Sequence, residues 1–152
     1  APFVEVGIAH QKMEKHILLL VLAVVTSIFS YGQCNKKMML YGSSFEMLNA
    51  SDEVQLKDER SISIVYDSKL ILFTPGDITM NGTIDSIKCD WKIPFKEGKT
   101  VILATITRTD GTSVNATLTI EGKNGQNILI AEFEGSDYPK LRLRLEKFEE
   151  SK

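Results

Sequence analysis

Ser113 to Glu121 reads Ser-Val-Asn-Ala-Thr-Leu-Thr-Ile-Glu. Val114, Ala116, Leu118 and Ile120 take every second place, with Ser113, Asn115, Thr117, Thr119 and Glu121 between them. Successive side chains of an extended strand point to opposite faces, so a period of two makes one face apolar and the other wet. That pattern suits an antiparallel sheet with one buried face. It recurs in both directions along the chain. Leu141, Leu143 and Leu145 alternate with Arg142, Arg144 and Glu146, and Ile62, Ile64 and Tyr66 alternate with Ser61, Ser63 and Val65.

Turn residues punctuate these runs at short intervals: Asp67-Ser68, Pro75-Gly76-Asp77, Asn81-Gly82, Lys96-Glu97-Gly98, Asp110-Gly111, Lys123-Asn124-Gly125 and Gly135-Ser136-Asp137. Asn-Gly and Asp-Gly supply the positive φ that tight hairpins need. The expected strands are 61–66, 69–74, 83–89, 100–109 and three further runs. The stretch 38–48 adds one strand or a short helical cover. Such connectivity predicts an all-β fold, an up-and-down antiparallel β-barrel of about eight strands. The alternative is an immunoglobulin-like β-sandwich, in which the polar stretch 49–60 would be the long crossing.

The segment from Thr100 to Phe148, TVILATITRTDGTSVNATLTIEGKNGQNILIAEFEGSDYPKLRLRLEKF, resembles the C-terminal half of small secreted lipocalin-like or calycin-like β-barrel proteins of bacteria. The likeness is one of strand-and-turn rhythm, without a family motif. It implies a barrel that binds a small apolar ligand.

Upstream, Met13 to Gly32 reads MEKHILLLVLAVVTSIFSYG. A short positive segment, an apolar run from Ile17 to Phe29 and small residues at Ser30 and Gly32 form the pattern of a cleaved signal peptide. The run is too short to cross a bilayer core of about 30 Å. Residues 1–12 then read as a mis-assigned start or leader, 13–32 as the signal peptide and 33–152 as a single β domain. Gln33 and Tyr31 stand where a lipobox wants a small residue and a leucine before Cys34, so a lipid anchor is not expected. The expected location is periplasmic or extracellular. An oxidising compartment makes Cys34 and Cys89, the chain's two cysteines, candidates for a disulfide.

Charge and missing groups narrow the chemistry. Eighteen Lys+Arg against twenty Asp+Glu in 152 residues give a net charge of −2, without the basic excess of a nucleic-acid binder. Both histidines, His10 and His16, fall before the expected cleavage point. A mature chain without imidazole has no Ser-His-Asp or Cys-His mechanism and no imidazole metal site. No phosphate-binding or metalloprotease motif occurs either, so no catalytic residue, metal or cofactor is expected. The expected partner is a small apolar ligand or an envelope protein. An interior above about 300 Å³ would favour the ligand.

Four side chains are candidate contacts. Trp91, between Asp90 and Lys92, reads as a ligand platform or as a core or rim aromatic. Arg142 and Arg144 are loosely similar to the inward basic residues of fatty-acid-binding barrels, unless the leucines between them face the core instead. Glu132 and Glu134 share one strand face, and two carboxyls in one cleft would allow glycoside hydrolysis. A solvated face is the simpler reading of that pair. The competing functions are thus a non-enzymatic ligand-binding barrel, a sandwich-type adhesion or accessory module, and a carboxylate hydrolase.

Overall fold

A computed structural model of the chain describes residues 34–135 and 139–152. The expected leader and signal peptide, and most of the expected turn at 135–137, lie outside the described residues. The fold is all-β. The strands are β1 (Met38–Gly42), β2 (Phe45–Leu48), β3 (Val54–Asp58), β4 (Ile62–Tyr66), β5 (Leu70–Pro75), β6 (Met80–Ile93), β7 (Glu97–Thr107), β8 (Ser113–Lys123), β9 (Gln126–Phe133), β10 (Lys140–Leu145) and β11 (Lys147–Glu150). They form one curled antiparallel sheet in the order β11-β1-β4-β5-β6-β7-β8-β9-β10-β2-β3. The described strands belong to one sheet, not to the two packed sheets of the sandwich alternative.

From β4 to β10 each strand pairs with the next in sequence, as tight turns dictate. The β7–β8 hairpin is regular from Gly98 opposite Gly122 to Thr107 opposite Ser113. The β8–β9 turn is a two-residue Asn124-Gly125 connection, with φ of 54° and 77°, the conformation in which this dipeptide is favoured. Across the β7–β8 ladder, Ile102 faces Leu118 and Ile106 faces Val114. Those four side chains, with Leu40, Ile64, Ile71, Leu129 and Leu143, lie in the buried core.

The ends of the hydrogen-bonded order are joined by the chain itself. β1 runs into β2 through Ser43-Ser44, and β10 into β11 through Glu146. The stretch 38–48 faces the stretch 140–150 in a single register, with Met38 opposite Glu150 and Leu48 opposite Lys140. Between these ladders the Glu146 N–H donates to the Tyr41 carbonyl at 2.8 Å. Gly42 lets the two stretches meet, because a Cβ there would collide with the Leu143 side chain.

Two local expectations are corrected. The polar stretch 49–60 is a hairpin rather than a crossing. Asn49 turns it, its Oδ1 accepting the N–H groups of Ser51 and Glu53 at 2.9 Å, and β3 returns along β2. Asn81-Gly82 is strand, not turn: the reversal occurs at Pro75–Thr79, and β6 already pairs with β5 from Met80. Gly82 is there for closeness, since a Cβ would lie 2.7 Å from Ile71 Cγ2 and from the Thr105 carbonyl oxygen. Strand glycines often mark such a close approach. Gly82→Ala should therefore cost about 2 kcal/mol, within the range for overpacking a core. Urea unfolding checks this, and an unchanged midpoint would mean that β5 and β7 can separate around the methyl group.

Candidate functional site

The two ends of the curled sheet differ chemically. At the end where β6 turns into β7, side chains fill the interior. Trp91 is 3% exposed. A Cβ on Gly98 would lie 2.7 Å from its ring and one on Gly122 2.6 Å from it. Its indole N–H donates to Thr100 Oγ1 at 2.7 Å, and that hydroxyl donates to Cys89 Sγ at 3.6 Å. Phe148 packs on Trp91 at 5.5 Å and on Phe95 at 5.0 Å between ring centres. A disulfide joins Cys34 to Cys89 at this end, with 6.0 Å between the Cα atoms.

At the other end β2, β5, β7 and β9 finish, and β4, β6, β8 and β10 begin. There the interior opens into a cavity of about 280 Å³. Phe45, Met47, Phe73, Met80, Ile106, Val114, Phe133 and Leu141 form its walls, with Pro75, Ile78 and Pro139 at the mouth. Phe73 and Phe133 meet edge to face at 6.2 Å. This volume falls just below the range for small-molecule sites, about 300–1,000 Å³, and just short of the interior expected of a ligand carrier.

Two arginines line this apolar hollow, Arg60 and Arg108. Arg60 lies at the bend between β3 and β4, its Cδ 3.7 Å from where a Cβ on Gly76 would stand. Asp58 grips it: Arg60 Nε donates to both carboxylate oxygens at 3.0 Å and its terminal nitrogen to Oδ2 at 2.6 Å. These bonds hold the Asp58 carboxyl below the usual carboxylate range and raise the Arg60 pKa. Arg108 opens the β7–β8 turn, where its N–H donates to the Thr112 carbonyl at 2.8 Å. Beside the mouth, Lys140 bridges Asp52 of the β2–β3 turn at 2.7 Å and Glu132 of β9 at 3.0 Å. Asp52 first and Glu132 second raise the Lys140 pKa. Such solvent-accessible bridges add little to stability.

The four contacts expected from the sequence do not converge on this cavity. Trp91 lies at the opposite end, buried and hydrogen-bonded, with no face left for a ligand. On β10, Leu141 and Leu143 point into the core while Arg144 is exposed, because burying leucine is worth about 1.5–3 kcal/mol. Arg142 shares the outward face and donates from Nε to Glu46 at 2.7 Å. It lines an outer hollow with Arg144, Lys57 and Ile128. Of the two readings of this strand, the one with leucines inward and Arg142 and Arg144 outward is the one observed. Glu132 is half exposed and engaged by Lys140, and Glu134 accepts from Asn115 Nδ2 at 3.0 Å. Neither lines the cavity.

The arginines that do line it have a signal in the sequence. Arg60 keeps the parity of inward Ile62, Ile64 and Tyr66, and Arg108 that of Ile102, Ala104 and Ile106. A charge continuing an apolar stripe at a strand end marks the rim of an interior. Compared with protein-family models, with curated proteins and with solved structures, the chain matches none.

Proposed function

We propose that the protein is an exported, non-enzymatic, lipocalin-like carrier that holds a small apolar ligand in the 280 Å³ cup. The cup carries this reading: an interior filled at one end and hollow at the other, with walls almost wholly apolar. The barrel form of the sheet is part of the proposal. Its support is the common register of 38–48 against 140–150. Taking 38–48, 54–66 and 140–150 each as one bent strand reduces eleven strands to eight, each antiparallel to its neighbours. Export is supported by the signal-like segment 13–32 and by the disulfide, a bond that persists in oxidising compartments. No described helix is long and apolar enough to cross a membrane.

Titration with a neutral, apolar, environment-sensitive naphthylamine dye tests the carrier. Val114→Trp, which adds a ring from the cavity wall, should weaken dye binding at least about tenfold, or 1.4 kcal/mol, with little change in melting temperature. A second reading, a module that accepts a partner's strand, draws on β3. That strand ends the hydrogen-bonded order, and its second edge pairs with no described strand, leaving backbone groups to which an extended peptide could bond. Equal dye binding by Val114→Trp and the parent protein would reject the cup and favour this edge.

A further inference from the structure

Resting on the carrier reading, we infer that the cup selects an amphiphile with an anionic head, received by Arg60 and Arg108, and a tail of about ten carbons. The volume of the site and its apolar walls set the tail. Phe45, Phe73 and Ile106 at its base are each at most 4% exposed and offer no polar partner. An apolar cavity of about 150 Å³ holds benzene, so 280 Å³ takes a tail roughly twice that size. A head group must then remain near the mouth. There Arg60 and Arg108 are the charged members of the described lining. Guanidinium stays charged at any physiological pH, and its planar fork matches carboxylate or phosphate oxygens.

Asp58 shows the geometry that such a head would adopt. Its carboxylate spans Arg60 Nε and a terminal nitrogen at 2.6–3.0 Å, the forked contact that an incoming anion would make. The Asp58 side chain is 14% exposed and that of Arg60 65%, so Arg60 is the more accessible partner of the pair. Asp58 is therefore an internal competitor: it orients Arg60, but its charge opposes that of the ligand. Removing that charge should tighten anion binding, whereas removing the guanidinium should weaken it. A purely structural ion pair gives the same result for both changes.

The experiment is calorimetric titration of the full chain with decanoate, decyl phosphate and decanol at neutral pH. Decanoate or decyl phosphate should bind at least about tenfold tighter than decanol, as one charge-assisted hydrogen bond implies, and the tighter of the two identifies the head. Arg60→Gln and Arg108→Gln should each reduce that preference and leave decanol unchanged, while Asp58→Asn should widen it severalfold. Equal binding of anion and alcohol, or a preference that survives Arg60→Gln combined with Arg108→Gln, overturns the inference and leaves the carrier standing. A preference narrowed by Asp58→Asn overturns the competition. If neither decanol nor the anions bind, it is the carrier reading that fails.

Discussion

Trp91→Ala should lower the free energy of unfolding by about 4 kcal/mol, the usual cost of emptying a buried aromatic site. The ring is 3% exposed, lies across the Gly98–Gly122 pair and is packed by Phe148. On the Gly98–Gly122 side the floor of the space is backbone, with no side chain to fill it. Packing is only part of the cost. Thr100 is 1% exposed, and its hydroxyl accepts the indole N–H at 2.7 Å. Thr100→Val keeps the shape and leaves that N–H buried without its acceptor, a loss of about 1–3 kcal/mol. Trp91→Phe keeps an aromatic ring and deprives the hydroxyl of its donor. Joining Thr100→Val to Trp91→Phe removes both halves of the bond, so the double variant should be more stable than the two single losses predict. Guanidinium unfolding followed by circular dichroism reads all four variants. A Trp91→Ala midpoint near that of the parent would show that the filled end contributes little to the fold.

How far the sequence could be read depended on which residues keep strict alternation. Strands β8 and β10 were legible because a half-buried antiparallel strand writes its orientation into every second residue, as in Val114 to Ile120, whereas Ile128 and Ile130 on the outward face of β9 blurred its orientation. β6 was not legible at full length. Met80, Gly82 and Ile84 occupy its inward phase, then the register shifts between Ile84 and Ser86. Beyond that bulge Ile87, Cys89 and Trp91 take over, so the inward parity changes from even to odd. A bulge inserts one residue and moves the following side chains to the other face, and a single period fitted across it fails. Asn81-Gly82 misled for a related reason: glycine serves close packing as well as positive φ. β3 was missed because its residues are mostly exposed, which left no apolar stripe to detect. The cavity is assembled from the ends of strands far apart in sequence, which leaves almost nothing of it to read locally. Only the parity of Arg60 and Arg108 pointed to it.

Breaking the Cys34–Cys89 bond should destabilise the protein by about 4 kcal/mol in the chain-entropy account of cross-links, given a separation of 55 residues. Cys34→Ala is the informative variant. It removes the cross-link while leaving Cys89 packed against the core and in reach of the Thr100 hydroxyl, so lost packing does not inflate the result. Cys34→Ala combined with Cys89→Ala adds the packing term, and the difference between the variants measures it. The chain's one tryptophan reports the same event without mutation. Disulfides quench nearby indoles, and Trp91 is linked to Cys89 through Thr100, so mild reduction should raise its emission before the chain unfolds. Ligand affinity supplies the control. The cavity lies at the opposite end of the strands, so binding measured below the unfolding transition should be the same with or without the bond. Loss of binding on reduction would mean that the bond holds the mouth in shape from the far end. A change in stability below about 1 kcal/mol would mean that the bond anchors only the short segment before β1, whose ordering the unfolded chain hardly resists.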